Sequence, residues 1–340
     1  MGSRRFTRRE ALETAGVAAL GGVLGTASSA VAEQGWVRVE SPTDTSLTGV
    51  EYTDTGPYAS GGSGVIIRRT DGTWETVVSD GPTGQSKTLN GAAVTDGASN
   101  GKTAQRYWVA GSSGVVGEYD PETATLYDHS KPLGVSANFT CISVVGEVND
   151  ERLYIGKGSG EVVVGHRTSD GSFDWLRTDT GSGYTVEASD FTFGEGVGYI
   201  STSGGGIYTT EDGGRSWTRL GYDDAETGYS AILADEGSPD RLYVGGGAGR
   251  ILRHDCRCDY WTPTEADTKR VHALESNNKG ERFLGAGGSG RVYRQADASD
   301  GAGWKVTTTN TGNALLAAAP SDGGSDVDVA VGKSGTIVEQ

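Results

Sequence analysis

Short apolar runs separated by glycine-rich turns fill this chain from residue 35 onward. Val65-Ile-Ile67, Val115-Val116, Val162-Val-Val164 and Ile251-Leu252 each follow such a turn, and runs of this length bounded by glycine read as strands. The turns themselves form a series: Gly61–Gly64, Gly111–Gly114, Lys157–Gly160, Ser203–Gly206, Gly246–Gly249, Gly287–Gly290 and Gly332–Gly335. Their last glycines lie 50, 46, 46, 43, 41 and 45 residues apart. Six or seven positions before each stands a large residue, Tyr58, Trp108, Tyr154, Tyr199, Tyr243, Phe283 or Val329. One unit is therefore copied seven times, and such a unit buries its faces only against its neighbours.

An aromatic opens the outer strand of most copies: Trp74, Tyr127, Trp175, Trp217, Trp261 and Trp304. The last copy ends at Gln340 before supplying one, and Trp36-Val-Arg-Val39 at the other end has the missing pattern. The expected fold is all-β: a seven-bladed β-propeller of four-stranded antiparallel blades, its ring closed by that N-terminal strand. Closure leaves no sheet edge to recruit other chains, so a monomer is expected. The innermost strands are predicted to begin at Leu47, Leu89, Phe139, Val186, Tyr229, Val271 and Ala314. Small residues are expected at their third positions, where the strands converge, with Leu316 the exception in the seventh. A phosphate-binding reading of the turns fails, because a phosphate loop opens a helix and carries a fixed Lys-Ser/Thr pair.

Composition agrees with many short strands: 56 glycines against 8 prolines in 340 residues. A net charge of −16 excludes a nucleic-acid role, which needs a basic face. Acid spread along the whole chain reads as a solvated surface of the kind a salt-loving organism uses. The three cysteines include Cys256-Arg-Cys258 with His254 nearby, but a zinc site usually takes four ligands and Cys141 is far off in sequence. Reduced structural thiols are expected, with a disulfide from Cys141 to one of the pair as the alternative. No metal and no cofactor is expected.

Residues 207–217 carry the most specific motif. Thr210, Asp212, Gly214, Ser216 and Trp217 spell S/T-x-D-x-G-x-S/T-W, which resembles the Asp-box, or BNR repeat, a hairpin turn on the outer part of propeller blades. The physical reading matches: Asp212 can turn its carboxylate onto backbone N–H groups, and the glycines accept positive φ. Shortened versions occur at Asp71-Gly-Thr-Trp74, at Asp170-Gly171 with Trp175 and at Asp300-Gly301 with Trp304. Across residues 35–340 the pattern is similar to the photosystem II assembly and stability factor family and its unassigned bacterial and archaeal relatives. That resemblance implies the fold and, for some relatives, a docking role. Asp-boxes also occur in sialidases, but no Arg-Ile-Pro motif is present, and Arg152, Arg241 and Arg282 occupy equivalent repeat positions instead of a converging triad.

Thr7-Arg-Arg-Glu-Ala-Leu12, the small apolar run from Ala15 to Leu24 and Ala30-Val-Ala32 resemble a twin-arginine export signal with its cleavage site. We therefore expect a signal over 1–32, a propeller over 33–340, and no membrane insertion after cleavage. The expected location is secreted or the exterior of the cell envelope. Asn138-Phe-Thr140 is a glycosylation sequon in such a chain.

Candidate ligand-binding residues lie where the inter-blade loops crowd one mouth of the axial channel. The second positions of the inner strands give the ring Thr48, Asn90, Thr140, Glu187, Ser230, His272 and Leu315. Its charged or titratable members, Glu187 and His272, with Asn90, Tyr184 and Tyr229, are the expected recognition mouth. No catalytic residue stands out among the dispersed acids. The function expected is a non-enzymatic scaffold binding a protein or a cell-surface glycan, the alternative a sialidase-like glycoside hydrolase of the Asp-box kind.

Overall fold

The computed structural model describes residues 35–97, 105–192, 196–221, 228–235, 241–255, 257–277, 280–295, 303–324 and 326–340. The expected export signal and Cys256 lie outside these residues. The strands form seven four-stranded antiparallel sheets. Six are built from consecutive strands and are numbered blades 1 to 6 by their inner strands, which begin at Leu47, Leu89, Phe139, Val186, Tyr229 and Val271, with the closing sheet as blade 7. The seventh joins Leu315–Ala319, Val329–Gly332 and Ile337–Glu339 to Val37–Val39 from the other end of the chain. Val37 pairs with Glu339, Arg38 with Val338 and Val39 with Ile337, so the ring closes as the repeat predicted.

The core is a set of slabs between adjacent blades, one at every seam. Val50, Ile67 and Trp74 of blade 1 pack on Val329, Val331 and Ile337 of blade 7. Trp36 packs with Leu284, Ala286 and Val292 of blade 6. Each of the large residues from Tyr58 to Val329 that precede the turns is buried in one of these slabs.

The glycine-rich turns exist because backbone meets backbone there. Ser113 and Gly114 both take positive φ, 63° and 77°. A Cβ on Gly114 would lie 2.1 Å from the Val135 carbonyl oxygen, in the loop that enters the next blade. Only glycine permits that approach. The turns therefore buttress the loops of one face, while the Asp-box turns lie at the other.

Charged side chains lock some seams. Arg69 Nε and Nη2 donate to Glu339 at 2.9 and 3.1 Å, and Trp74 Nε1 donates to the same carboxylate at 2.7 Å, fixing blade 1 to blade 7. Between blades 2 and 3, Glu118 accepts from Arg167 at 2.5 Å and lies 2.9 Å from His129 Nε2, while Arg167 also reaches Glu151 at 2.5 Å.

Candidate functional site

Every inner strand begins with the same irregularity. Its first residue pairs with the second strand, the next is skipped, and pairing resumes at the third: Leu47 then Gly49, Leu89 then Gly91, Phe139 then Cys141, Val186 then Ala188. Tyr229 then Ala231, Val271 then Ala273 and Leu315 then Ala317 complete the series. This is a β-bulge repeated at each blade, and it turns the skipped side chain into the axial channel. Thr48, Asn90, Thr140, Glu187, Ser230 and His272 line a channel cavity of 150 Å³.

The seventh copy departs from expectation by one residue. Its strand begins at Leu315, not Ala314, so Leu316 faces the channel in place of Leu315. Leu315 is fully buried between blades 6 and 7, which fixes the register. The third position becomes Ala317, and all seven third positions are then Gly, Ala or Cys.

Most of the ring is engaged in joining blades. Thr48 Oγ1 donates to the Leu89 carbonyl at 2.5 Å, Asn90 Nδ2 to Phe139 at 2.7 Å, Thr140 Oγ1 to Val186 at 2.5 Å and Ser230 Oγ to Val271 at 2.6 Å. In each case the acceptor opens the inner strand of the following blade. Glu187 interrupts this lacing, its side chain making no such bond to the following blade; the Tyr229 carbonyl takes Ser201 Oγ at 3.5 Å instead. Asn90 is thus a seam residue as well as a channel residue. Tyr229 is buried against Ile232 and Val244, away from the mouth. Tyr184 is 56 % exposed on the rim, its ring over Gly204.

Glu187 and His272 share a cationic setting that the sequence pattern did not single out. Arg270 donates from Nε to Ser230 Oγ at 3.0 Å. Burial raises the Glu187 pKa and Arg270 opposes the rise. Burial, then Arg270 and Lys333, push His272 down to about 4, so its imidazole is neutral at physiological pH. The mouth therefore offers a neutral imidazole beside cationic side chains on an otherwise acidic protein.

A second group absent from the expected site includes Glu51 and Glu275, which line the same channel cavity. The fifth positions of the inner strands are Glu51, Ala93, Ser143, Asp190, Leu233, Glu275 and Ala319. Asp190 accepts from the Phe191 and Ala234 N–H groups at 2.8 and 2.7 Å. Burial and the Asp190 charge push Glu51 up to about 8, and burial with both neighbours raises Glu275 well above the carboxylate range. Like charges confined together resist ionising together.

The Asp-box turn is a closed hydrogen-bond unit. Asp212 Oδ1 accepts from the Arg215 and Ser216 N–H groups, each at 2.9 Å, and Oδ2 from Ser216 Oγ at 2.6 Å. Thr210 Oγ1 accepts from Gly214 N–H at 2.9 Å, and Trp217 Nε1 donates to Thr178 Oγ1 at 3.1 Å. The Ser216 bonds above all hold Asp212 down at about 2. Asn138 is exposed, and its Oδ1 accepts from Ser113 N–H at 3.1 Å. Burial leads in raising the Cys141 thiol to about 11, which leaves it unreactive, and Cys258 is exposed and unpaired in any disulfide. His254 is buried with Nε2 2.9 Å from Asp259, and among the described residues no group of His, Cys, Asp and Glu is placed to hold a metal ion.

Solved structures place this architecture among known propellers. The chain is similar in fold to YCF48. The structure titled YCF48 bound to D1 peptide matches with a TM-score of 0.66 at 16 % identity, over 90 % of this chain and 96 % of that one. YCF48 from Cyanidioschyzon merolae matches with a TM-score of 0.67 at 14 % identity, over 90 % and 98 %. The structure of U3-55K matches with a TM-score of 0.70 at 12 % identity, over 90 % and 98 %. No family model matches the chain, and no curated protein matches it. Identities this low speak for the fold; YCF48 is a photosystem II assembly factor, and that role is its own.

Proposed function

We propose that this chain is an exported, non-enzymatic scaffold that docks a protein segment on the mouth formed by Tyr184, Glu187, Arg270, His272 and Lys333. The observation that carries the reading is the break in the inter-blade lacing. Most ring positions carry a short side chain bonded to the next blade, while Glu187 and His272 hold titratable groups in a channel and gain no such bond from the neighbouring strand. A rigid frame around a few unmatched polar groups is suited to recognition. The YCF48 relative with a bound D1 peptide supports a protein partner over a glycan. The twin-arginine pattern supports export.

A glycoside hydrolase needs two carboxylates with divided roles, one raised and one held ionised. Glu51 and Glu275 are both raised, and the charged carboxylate beside them, Asp190, is committed to the Phe191 and Ala234 N–H groups instead of facing the channel cavity as a free base or nucleophile. That favours the scaffold.

The test is affinity capture by the mature chain from its own envelope fraction, followed by titration of the purified partner. Glu187→Gln with His272→Ala should weaken binding at least tenfold while leaving the melting temperature within a few degrees. Unchanged affinity would remove the mouth from the interface, and retention of a glycan in place of a protein would replace the partner class.

A further inference from the structure

On the opposite face, the cleft between blades 3 and 4 holds a different set of groups. A cavity of 580 Å³ is lined by residues of the Val145–Arg152 connection with Tyr154, Phe191, Thr192 and Gly196, and one of 220 Å³, lined by Trp175 and Arg215, shares Arg152 with it. Arg152 lines both. Its repeat counterparts are paired, Arg241 with Asp235 at 3.9 Å and Arg282 with Asp328 at 2.8 Å. Arg152 is exposed and stands beside Tyr154 instead. Arg215 enters the same cleft from the Asp-box turn, its Nη1 donating to the Asp212 carbonyl at 3.0 Å. Asp212 makes no ion pair with either guanidinium among the described residues, its carboxylate accepting from Thr210, Ser216 and the turn's N–H groups, although its charge still acts on Tyr154.

Tyr154 is 1 % exposed and lines the larger cavity, and its hydroxyl has no acceptor among the described residues, since the Arg152 guanidinium beside it can only donate. Both guanidiniums act on it and draw its pKa down against the rise that burial imposes. The phenolic proton therefore has no acceptor among the described residues, and burying a donor without one is unfavourable. A carboxylate would accept it and face both arginines at once. Glu147 and Asp150 line the same cavity, and they suit an ammonium group.

We propose that this cleft is a ligand site for a small zwitterion of dipeptide size, its carboxylate held by Arg152, Arg215 and the Tyr154 hydroxyl and its ammonium turned to Glu147 and Asp150. The site is independent of the docking mouth. The probes are alanyl-alanine, its C-terminal amide and its N-acetyl derivative, titrated by calorimetry against the mature chain. Alanyl-alanine should bind, the amide at least tenfold more weakly, and the acetylated form about threefold more weakly. Arg152→Gln with Arg215→Gln should remove the preference for a free carboxylate. Tyr154→Phe is the decisive variant, because deleting an unmatched buried hydroxyl should hold or raise the melting temperature while weakening alanyl-alanine about fivefold. Tyr154→Phe binding as tightly as wild type, equal affinity for all three probes, or no binding of alanyl-alanine would each overturn the proposal.

Discussion

Replacing Glu51 by glutamine should stabilise this protein at alkaline pH and do little at acidic pH. The native state holds the Glu51 proton up to about pH 8, whereas the unfolded chain releases it near 4.5. Between those values the folded state binds more protons than the unfolded one, so stability falls as pH rises and levels off above about 8. The full interval corresponds to about 5 kcal/mol at 1.36 kcal/mol per unit. Burial contributes most of it and repulsion from Asp190 the rest, but burying the glutamine amide carries a cost of its own, and the Asp190–Glu275 repulsion is untouched by the substitution. We therefore expect Glu51→Gln to gain on the order of 2–4 kcal/mol at pH 9 and under about 1 kcal/mol at pH 4. Urea denaturation at pH 4, 5, 7 and 9, fitted with a common m-value, reads this directly. Parallel pH profiles for wild type and variant would refute the reasoning, because they would place Glu51 in ordinary solvent.

The closing strand gives a second outcome: Trp36→Ala should cost about 3–5 kcal/mol, since Trp36 is buried against blade 6, and a loss under 1 kcal/mol in urea would mean the seventh blade holds without it. Glu339→Ala should cost about 2–3 kcal/mol by stranding Arg69 and the buried Trp74 N–H, with thermal unfolding as the check. Glu118 shows the opposite pH sign to Glu51. Burial works to raise its pKa, but bonds from His129 and Arg167 outweigh that and leave it lowered, so its contribution is present above about 4.5 and lost as pH falls. Glu118→Gln should accordingly flatten the acid limb of the stability curve, and an unchanged acid midpoint would contradict the seam network.

The ring was legible because its determinants are local. Turn glycines, an aromatic before each turn and a displaced Trp36 strand are visible without knowing any contact. The slip at Ala314 came from a stretch, Ala314-Leu-Leu-Ala-Ala-Ala319, with too little contrast to mark which leucine enters the core. The mouth was only partly legible. Spacing places Asn90 in the ring but cannot say that its amide reaches the Phe139 carbonyl, and it cannot separate the buried Tyr229 from the exposed Tyr184. The acids at the fifth strand positions stand out once that series is aligned among alanine, serine and leucine. The Arg152–Tyr154–Arg215 cleft has no such signal, because it joins side chains from two blades and a turn.

The most direct test of the central claim, that the buttressed mouth is the docking surface, is site-specific photocrosslinking in the native cell from two exposed positions. Position 184 lies on the mouth rim, and position 170 lies in a turn on the opposite face. The account predicts one protein adduct from 184 that disappears with Glu187→Gln and His272→Ala, and none from 170. The same adduct from position 170 with nothing from 184 would contradict it.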